Sequence, residues 1–365
     1  MKILIDLTSL ADNFSGIERY AACLALEMLT NKSNNYILIF KNNIHPMFVE
    51  YVNDSRIEII IISGSGKLFF NQVKLPLKSY KHTADWYLFM AFPVPLLLFK
   101  KNMVSTIHDI CCWDCPETMN GLSQWYFKIS HLAAIKKCKR IITISRFSQN
   151  RIENKLKYPA EKIWLVYCGV DKKFLDYKRD RTAALEIRKK YNLPNKYILS
   201  LSTLEPRKNL RLLVDAYGQL FAEGKISIPL VLAGRKGWKM DELLKNLSED
   251  ILNNIIFTGF IDDDDLPAVY GNTSLFVFPS KYEGFGMPPL EALACGARVL
   301  SSDSASLPEV LGNKAVYFKN DNLASLKEKL LLCQDMDALL SETRPEIDFL
   351  WHAEADKLLG LMETE

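Results

Sequence analysis

What the chain lacks narrows what it can be. Its 365 residues hold only eight cysteines, too few to staple a fold of this length with disulfides, which suits a reducing compartment. The longest apolar stretch, Phe89 to Phe99, runs 11 residues and is broken by Pro93 and Pro95, whereas a helix that spans a bilayer needs roughly 20. Met1 leads directly into Lys-Ile-Leu-Ile-Asp-Leu, a strand pattern with no export signal. These absences set the expectation of a cytoplasmic protein. No Gly-x-Gly-x-x-Gly follows that first strand, so a nicotinamide site has little support. Internal repeats and low-complexity tracts are missing too, and no nucleic-acid-binding motif accompanies the basic residues, so nucleic acid is not an expected partner.

What is present is ordinary globular composition, 48% hydrophobic with 24% charged residues, at a length that usually makes two domains. The net charge of +3 conceals a division. Through Asp171 there are 21 Lys and Arg against 14 Asp and Glu, or +7; the remainder has 25 against 29, or −4. In the basic front half, Lys136, Lys137, Lys139 and Arg140 form one cluster. Lys67, Lys74, Lys78 and Lys81 surround Leu68-Phe69-Phe70 and Leu75-Pro76-Leu77. Basic residues interleaved with apolar ones suit the anionic inner face of a cytoplasmic membrane, with an ordinary solvated surface as the alternative.

Short apolar runs alternate with amphipathic helical stretches from end to end, the pattern of parallel sheets covered by helices. The front-half strands read as Ile3–Leu7, Tyr36–Phe40, Ile57–Ile62, Trp86–Leu88, Val104–Ile107, Ile141–Ile144 and Ile163–Val166. The back half restarts with Tyr197–Leu201, Leu230–Ala233, Ile255–Phe257, Leu275–Phe278, Arg298–Ser301 and Ala315–Phe318. The expected fold class is α/β, two Rossmann-like doubly wound units facing across a cleft. The domains read as residues 1–175, 176–345 and a terminal helix over 346–365. Ligands in such sheets bind beyond the carboxyl ends of the strands.

The most informative stretch is Glu283-Gly-Phe-Gly-Met-Pro-Pro-Leu-Glu291, a turn from a buried strand into a short helix closed by Gly296. Gly284 and Gly286 permit close backbone approach to a ligand, and Pro288 and Pro289 suit a first helical turn. Amides near Phe285, Gly286 and Met287, backed by the helix dipole, would form an anion site fit for a diphosphate. Glu283 precedes the turn, where it can reach a reacting sugar. Glu291, placed in the first helical turn, can accept hydrogen bonds from a ribose. The plainer alternative makes Glu283 a surface loop residue and Glu291 a complement to the helix dipole. After another strand, Thr203-Leu-Glu-Pro-Arg207-Lys208-Asn209 supplies a guanidinium fork and a point charge suited to phosphate.

With Ser15-Gly16-Ile17 to Arg19, Ile107-His108-Asp109, Thr143 to Ser148, Gly169-Val170-Asp171, Gly259-Phe260 and Leu307-Pro308-Glu309 in order around them, these segments resemble the retaining glycosyltransferases of family 4, which have the GT-B fold. The resemblance covers nearly the whole chain. It implies transfer of a sugar from a nucleoside diphosphate to an acceptor hydroxyl with retention of configuration. Glu283 would steady the donor sugar, and Glu291 would hold the ribose. Arg207, Lys208 and the Phe285–Met287 amides would meet the diphosphate, with Gly259 and Phe260 in the donor pocket. The family more often carries a Gly-Arg pair where Ser202-Thr203 stands, so Arg207 would replace the missing arginine. Gly16 would let backbone approach the donor phosphate or acceptor, His108 would contact the transferred sugar with Asp109 orienting its ring, and Arg19, Ser145 and Arg146 would touch substrate. The terminal helix would pack back on the first domain.

Cys111, Cys112 and Cys115 near His108 contain a Cys-x-x-Cys, but no second pair completes a zinc site. Asp262 to Asp265 is explained more simply by capping of the following helix than by manganese. The expectation is therefore no metal and no cofactor beyond the donor. The Thr-Leu-Glu-Pro-Arg-Lys-Asn version resembles that of bacterial mannosyltransferases building O-antigen or exopolysaccharide, which makes GDP-mannose the first donor reading and a glycan or lipid-linked sugar the acceptor. Another UDP-, dTDP- or GDP-linked sugar, or a catalytically silent sugar-nucleotide-binding subunit, are the alternatives.

Overall fold

The computed structural model describes the chain except residues 11–15, 67–68, 93, 204, 236–242, 246 and 336–343. Ser15, Lys67, Leu68, Pro93 and Leu204 of the segments above lie outside the described residues. The chain divides into two units, Met1–Gly169 with Phe349–Glu365, and Val170–Asp348.

Unit 1 is built on seven parallel strands: β1 Lys2–Asp6, β2 Asn35–Lys41, β3 Ile57–Ile62, β4 Trp86–Phe89, β5 Met103–Thr106, β6 Arg140–Thr143 and β7 Ile163–Leu165. Their order is β3-β2-β1-β4-β5-β6-β7. In unit 2, β8 Ile198–Leu201, β9 Leu230–Ala233, β10 Ile255–Gly259, β11 Leu275–Phe278, β12 Val299–Ser302 and β13 Val316–Phe318 run β10-β9-β8-β11-β12-β13. All thirteen strands read from the sequence form, with ends moved by at most two residues. They are legible because helices cover both faces of a parallel sheet, so the strands are continuous apolar runs. In β2, for example, Tyr36, Ile37, Leu38, Ile39 and Phe40 are all buried. Strand order reverses direction between β1 and β4 in one sheet and between β8 and β11 in the other, and a crevice opens at such a switch point.

The join falls between Gly169 and Val170 rather than after residue 175, because the helix Lys172–Leu175 packs into unit 2. Its Phe174 is buried, 6.0 Å from the Tyr270 ring, and Cys295 Sγ donates to its carbonyl at 3.8 Å. The tail rejoins unit 1 at Phe349 rather than 346. Its helix Trp351–Glu363 lies on the helix Gly16–Thr30, with the Tyr20 and Trp351 rings 5.9 Å apart. Glu354 Oε2 accepts from the Tyr167 amide at 2.9 Å. The two backbones touch at Gly169, where an added Cβ would stand 2.3 Å from the Trp351 nitrogen.

The basic clusters of the front half fare unequally. Lys139 and Arg140 pair with Glu365, and Lys137 Nζ donates to the Pro95 and Leu96 carbonyls while lying over the Phe99 ring. Of that cluster, Lys136 stays exposed. In the other, Phe70, Leu75 and Pro76 are buried, whereas Phe69 and Leu77 are exposed, as are Leu96, Leu97 and Phe99 of the following loop. Hydrogen bonds from Leu96 N to Gln72, from Tyr80 to the Leu97 carbonyl and from Phe99 N to Tyr80 tie that loop to the helix.

Gly169→Ala is expected to destabilise unit 1 by about 2–3 kcal/mol, the cost of forcing packed backbones apart. Urea unfolding followed by tryptophan fluorescence reads this unit, since Trp86, Trp113, Trp125, Trp164 and Trp351 all belong to it. An unchanged midpoint would show that the tail yields at this contact.

Candidate functional site

The residues that the resemblance assigns to the donor come together because β8 and β11 are neighbours, with Ile198 opposite Leu275 and Leu199 opposite Phe276. Parallel strands in register send their following loops out at the same edge, so residues 202–209 and 279–286 emerge side by side. The Lys281 amide donates to the Arg207 carbonyl at 2.9 Å and fixes one loop on the other. From this frame Lys208 Nζ reaches Glu283 Oε1 at 2.7 Å. Arg207 Nη1 contacts Glu283 Oε2 at 3.1 Å and the Tyr282 carbonyl at 2.8 Å, and Arg207 Nη2 contacts Glu205 Oε1 at 3.1 Å. Ser280 Oγ adds a 2.5 Å donation to Glu283 Oε1.

Glu283 is therefore buried, 7% exposed, not the surface loop residue of the plainer alternative. Burial by itself pushes its carboxyl up, but the charges of Lys208 and Arg207, with hydrogen bonds from Lys208 and Ser280, outweigh that and hold it at about 2. Lys208 sits below the usual lysine range, because burial and the neighbouring Arg207 charge outweigh Glu283. Two cations share the buried Glu283 carboxylate, and its attraction does not fully compensate the burial of Lys208.

Beyond Glu283 the chain turns into the helix Met287–Ala294 through Gly286, whose φ is 100°. A side chain there would be strained, and a Cβ would meet Leu307 Cδ2 at 2.5 Å. Ser306 Oγ lies 3.0 Å from the Glu283 carbonyl and 2.9 Å from that of Phe285, and so braces the turn. The Gly286 and Met287 amides have no acceptor among the described residues. Pro288 and Pro289 carry no N–H, so the anion site at this helix start rests on few donors. Glu291 is the fifth helical residue, not a first-turn one, since the helix begins at Met287. It is buried and accepts from the Tyr270 hydroxyl at 3.1 Å. Gly259 and Phe260 lie at the end of edge strand β10. There the Gly259 carbonyl accepts from Gly234 N, and the half-exposed Phe260 ring lies 4.9 Å from the Arg235 guanidinium.

Within unit 1, His108 follows β5 at the carboxyl edge of the sheet. Its Nε2 is 2.8 Å from the Met90 carbonyl, and its ring stands edge-on to Tyr20 at 5.2 Å. Burial lowers its pKa to about 4, so at neutral pH the imidazole is uncharged and Nε2 carries the proton given to Met90. Asp109 does not hydrogen-bond that ring; its Oδ1 accepts from the Cys111 amide at 2.8 Å and caps the turn beginning there. Ser145 is a helix cap, buried and accepting from the Ser148 amide at 3.0 Å, which removes it from substrate. Arg146 opens the capped helix on the exposed side. Gly16 starts the helix Gly16–Thr30, and Arg19 lies in its first turn, half-buried. Cys112 Sγ is 3.7 Å from His131 Nδ1, and Cys111 Sγ is 3.5 Å from Thr118 Oγ1.

Asp265 occupies the N-cap position before Leu266–Gly271 without capping it. Its carboxylate accepts instead from Lys190 at 2.6 Å and Tyr191 at 2.6 Å, while Asp262 takes a second bond from Lys190. These aspartates anchor a neighbouring helix. Residues that sequence reasoning passed over are Glu205, Ser280, Tyr270 and Ser306. Only Glu205 stood inside a quoted motif, and the serines carry no signal apart from their contacts.

Residues 184–343 match the family model described as glycosyl transferases group 1, and residues 79–174 match that of glycosyltransferase family 4. The chain thus carries a family 4 and a group 1 glycosyltransferase domain, one after the other. Among curated proteins, O-antigen chain mannosyltransferase B of Escherichia coli is 34% identical over 233 residues, 63% of this chain and 61% of that protein. Serotype-specific mannosyltransferase WbdA, also of Escherichia coli, is 37% identical over 206 residues, 55% of this chain and 25% of that protein. The matched segments thus span less than two thirds of these relatives' lengths. Among solved structures, Anabaena HepE in complex with UDP and glucose superposes with a TM-score of 0.72 at 18% identity, covering 100% of both chains. That likeness establishes the fold, GT-B, with two Rossmann-like parallel-sheet units.

Glu283→Gln keeps a partner for Ser280 but removes the counter-charge of Lys208 and leaves Arg207 only Glu205. It is expected to lower the stability of unit 2 by about 3 kcal/mol at pH 7. Because the folded carboxyl is depressed from 4.5 to about 2, its stabilisation is complete above about pH 4.5 and is lost as pH falls from there through about 2. The gap between wild type and variant, followed by thermal denaturation from pH 7 down to 3, should narrow only below about pH 4.5. A gap that already closes between pH 7 and 5 would mean the carboxyl is not depressed.

Proposed function

We propose that the chain is a retaining glycosyltransferase that moves mannose from GDP-mannose to a glycan or lipid-linked acceptor in bacterial surface polysaccharide synthesis. The observation that carries this is the buried Arg207, Lys208 and Glu283 cluster, set beside a helix start with open amides. In sugar transfer, negative charge grows on the departing diphosphate as the anomeric bond breaks. Preorganised cations at that point stabilise the transition state. Lys208, Arg207 and the Gly286 and Met287 amides take that part, which makes the reading metal-independent. Both oxygens of Glu283 are engaged, and its carboxyl is held at about 2. Such a carboxylate is a poor nucleophile and a fixed negative charge, so it suits steadying positive charge at the anomeric centre. Attack from the face of the leaving diphosphate, with that phosphate assisting, then yields retention. Glu291 is assigned to the ribose and Phe260 to the wall of the donor pocket. Unit 1 is assigned to the acceptor. Mannose is supported by the mannosyltransferase relatives.

Peripheral membrane association belongs to the same reading. No helix among the described residues is long and apolar enough to cross a membrane. The exposed Phe69, Leu77, Leu96, Leu97 and Phe99 form a linked apolar surface. Lys78, Lys81, Lys100 and Lys101 accompany it, and Asp85 is the one acid between Glu58 and Asp109. Apolar contact rimmed by lysine fits an anionic lipid surface.

Purified protein incubated with labelled GDP-mannose, UDP-glucose, dTDP- and ADP-sugars should transfer or slowly hydrolyse the GDP-linked donor. Glu283→Ala should cut that turnover by about 10²–10³-fold, the range for losing a preorganised electrostatic group. Binding without turnover on any acceptor would leave a silent binding subunit instead. A parallel test uses vesicles with and without anionic lipid. Wild type should co-sediment with anionic vesicles, less so in high salt, and Leu97→Glu with Phe99→Glu should abolish it. Equal recovery of variant and wild type would remove this surface from membrane binding.

A further inference from the structure

The cations assigned to the diphosphate already have partners. Arg207 and Lys208 bring two positive charges and Glu205 and Glu283 two negative ones, joined by contacts of 2.7–3.1 Å. The cluster is balanced before any donor arrives, and a diphosphate adds negative charge to a cluster in which both cations already face carboxylates. Like charges in one buried site cannot all stay without penalty, so one carboxylate must give way.

The two carboxylates are not equally able to leave. Glu283 has its side chain 9% exposed and is held by Lys208, Arg207 and Ser280. Glu205 has its side chain 28% exposed and is held by Arg207 through one contact. Its backbone, preceding Pro206, is extended at φ −128° and ψ 156°, the region a following proline imposes. Movement therefore falls to its side-chain torsions, which open towards water.

We propose that Glu205 is the displaceable counter-ion of the donor site. It holds Arg207 while the site is empty, turns out to solvent when a nucleoside diphosphate sugar binds, and returns to compete with the nucleoside diphosphate product, aiding its release. This rests on the donor-site reading above and adds to it a residue that opposes ligand binding. Arg207 is then handed from one anion to another without ever being left bare in a partly buried place, the condition that would cost most.

Isothermal titration of wild type, Glu205→Gln, Glu205→Ala and Glu205→Asp with GDP and with inorganic pyrophosphate tests it. Both uncharged variants should bind both probes on the order of three- to tenfold tighter, the effect of removing one like charge from a partly screened site. Product inhibition by GDP should strengthen in step, while Glu205→Asp, which keeps the charge, should stay near wild type. If Glu205 only positions Arg207, the uncharged variants bind equally or more weakly, and the counter-ion role is overturned. If wild type binds neither probe, the donor-site reading falls and takes this inference with it. Wild-type binding with no tightening sinks the counter-ion role alone. Unchanged melting temperatures of the free variants exclude misfolding as the cause of weaker binding.

Discussion

The buried carboxylate of Glu283 is the point on which unit 2 turns. A buried carboxylate shared by two cations, one of them also held by Glu205, is an arrangement that burial alone would forbid, since each charge removed from water carries a desolvation cost of several kcal/mol. It persists because three features of the chain converge. Neighbouring strands β8 and β11 deliver both loops to one edge, the Lys281 amide pins one loop to the other, and Ser280 fills the remaining hydrogen-bond direction. Removing any one of them leaves the others under-compensated. The cluster is therefore part of the packing of unit 2 as well as its proposed chemistry.

The same cluster accounts for a departure in the sequence. Thr203 stands where the resemblance leads one to expect arginine, and Arg207 lies on the short turn Pro206–Lys208. The planar guanidinium still reaches Glu283 and the Tyr282 carbonyl together, which a lysine's single ammonium could not do with the same geometry. An arginine brought in from another backbone position needs a different anchor, and Glu205 supplies it from two residues away. Arginine substitution and counter-ion are thus one local solution.

Much of the fold was legible because the signals were of the kind that burial writes plainly. The inner strands are short β-rich runs covered on both faces, so β2 or β11 can be read with no knowledge of neighbours. The donor loop was legible for a different reason, the glycine and proline chemistry of Glu283 to Glu291, and Gly286 takes the backbone angle only glycine takes easily. What escaped were roles set by partners distant in sequence. Nothing in Asp109 announces that it caps Cys111 rather than orienting His108, and nothing in Ser145 distinguishes a helix cap from a substrate contact until Ser148 is seen beneath it. Asp265 misled in the opposite sense, because an aspartate before Leu-Pro looks like a cap, yet Lys190 and Tyr191 claim its carboxylate. The structural division at Gly169 was not legible, because the burial of Phe174 against Tyr270 is a tertiary fact with no local marker.

Charge distribution adds a constraint on how a polyanionic donor is captured. Unit 2, Val170–Asp348, carries 24 Lys and Arg against 26 Asp and Glu, or −2, so its overall charge would not draw in the proposed diphosphate donor. At physiological salt, fields from exposed charges fade over about 8–10 Å, and Lys190 is neutralised by Asp262 and Asp265 before it can contribute at longer range. Attraction must then come from contacts inside the site, where Lys208 and the open amides of the helix start lie in a less screened environment. The proposed diphosphate ligand would therefore gain little from the general surface and much from matching a specific set of donors.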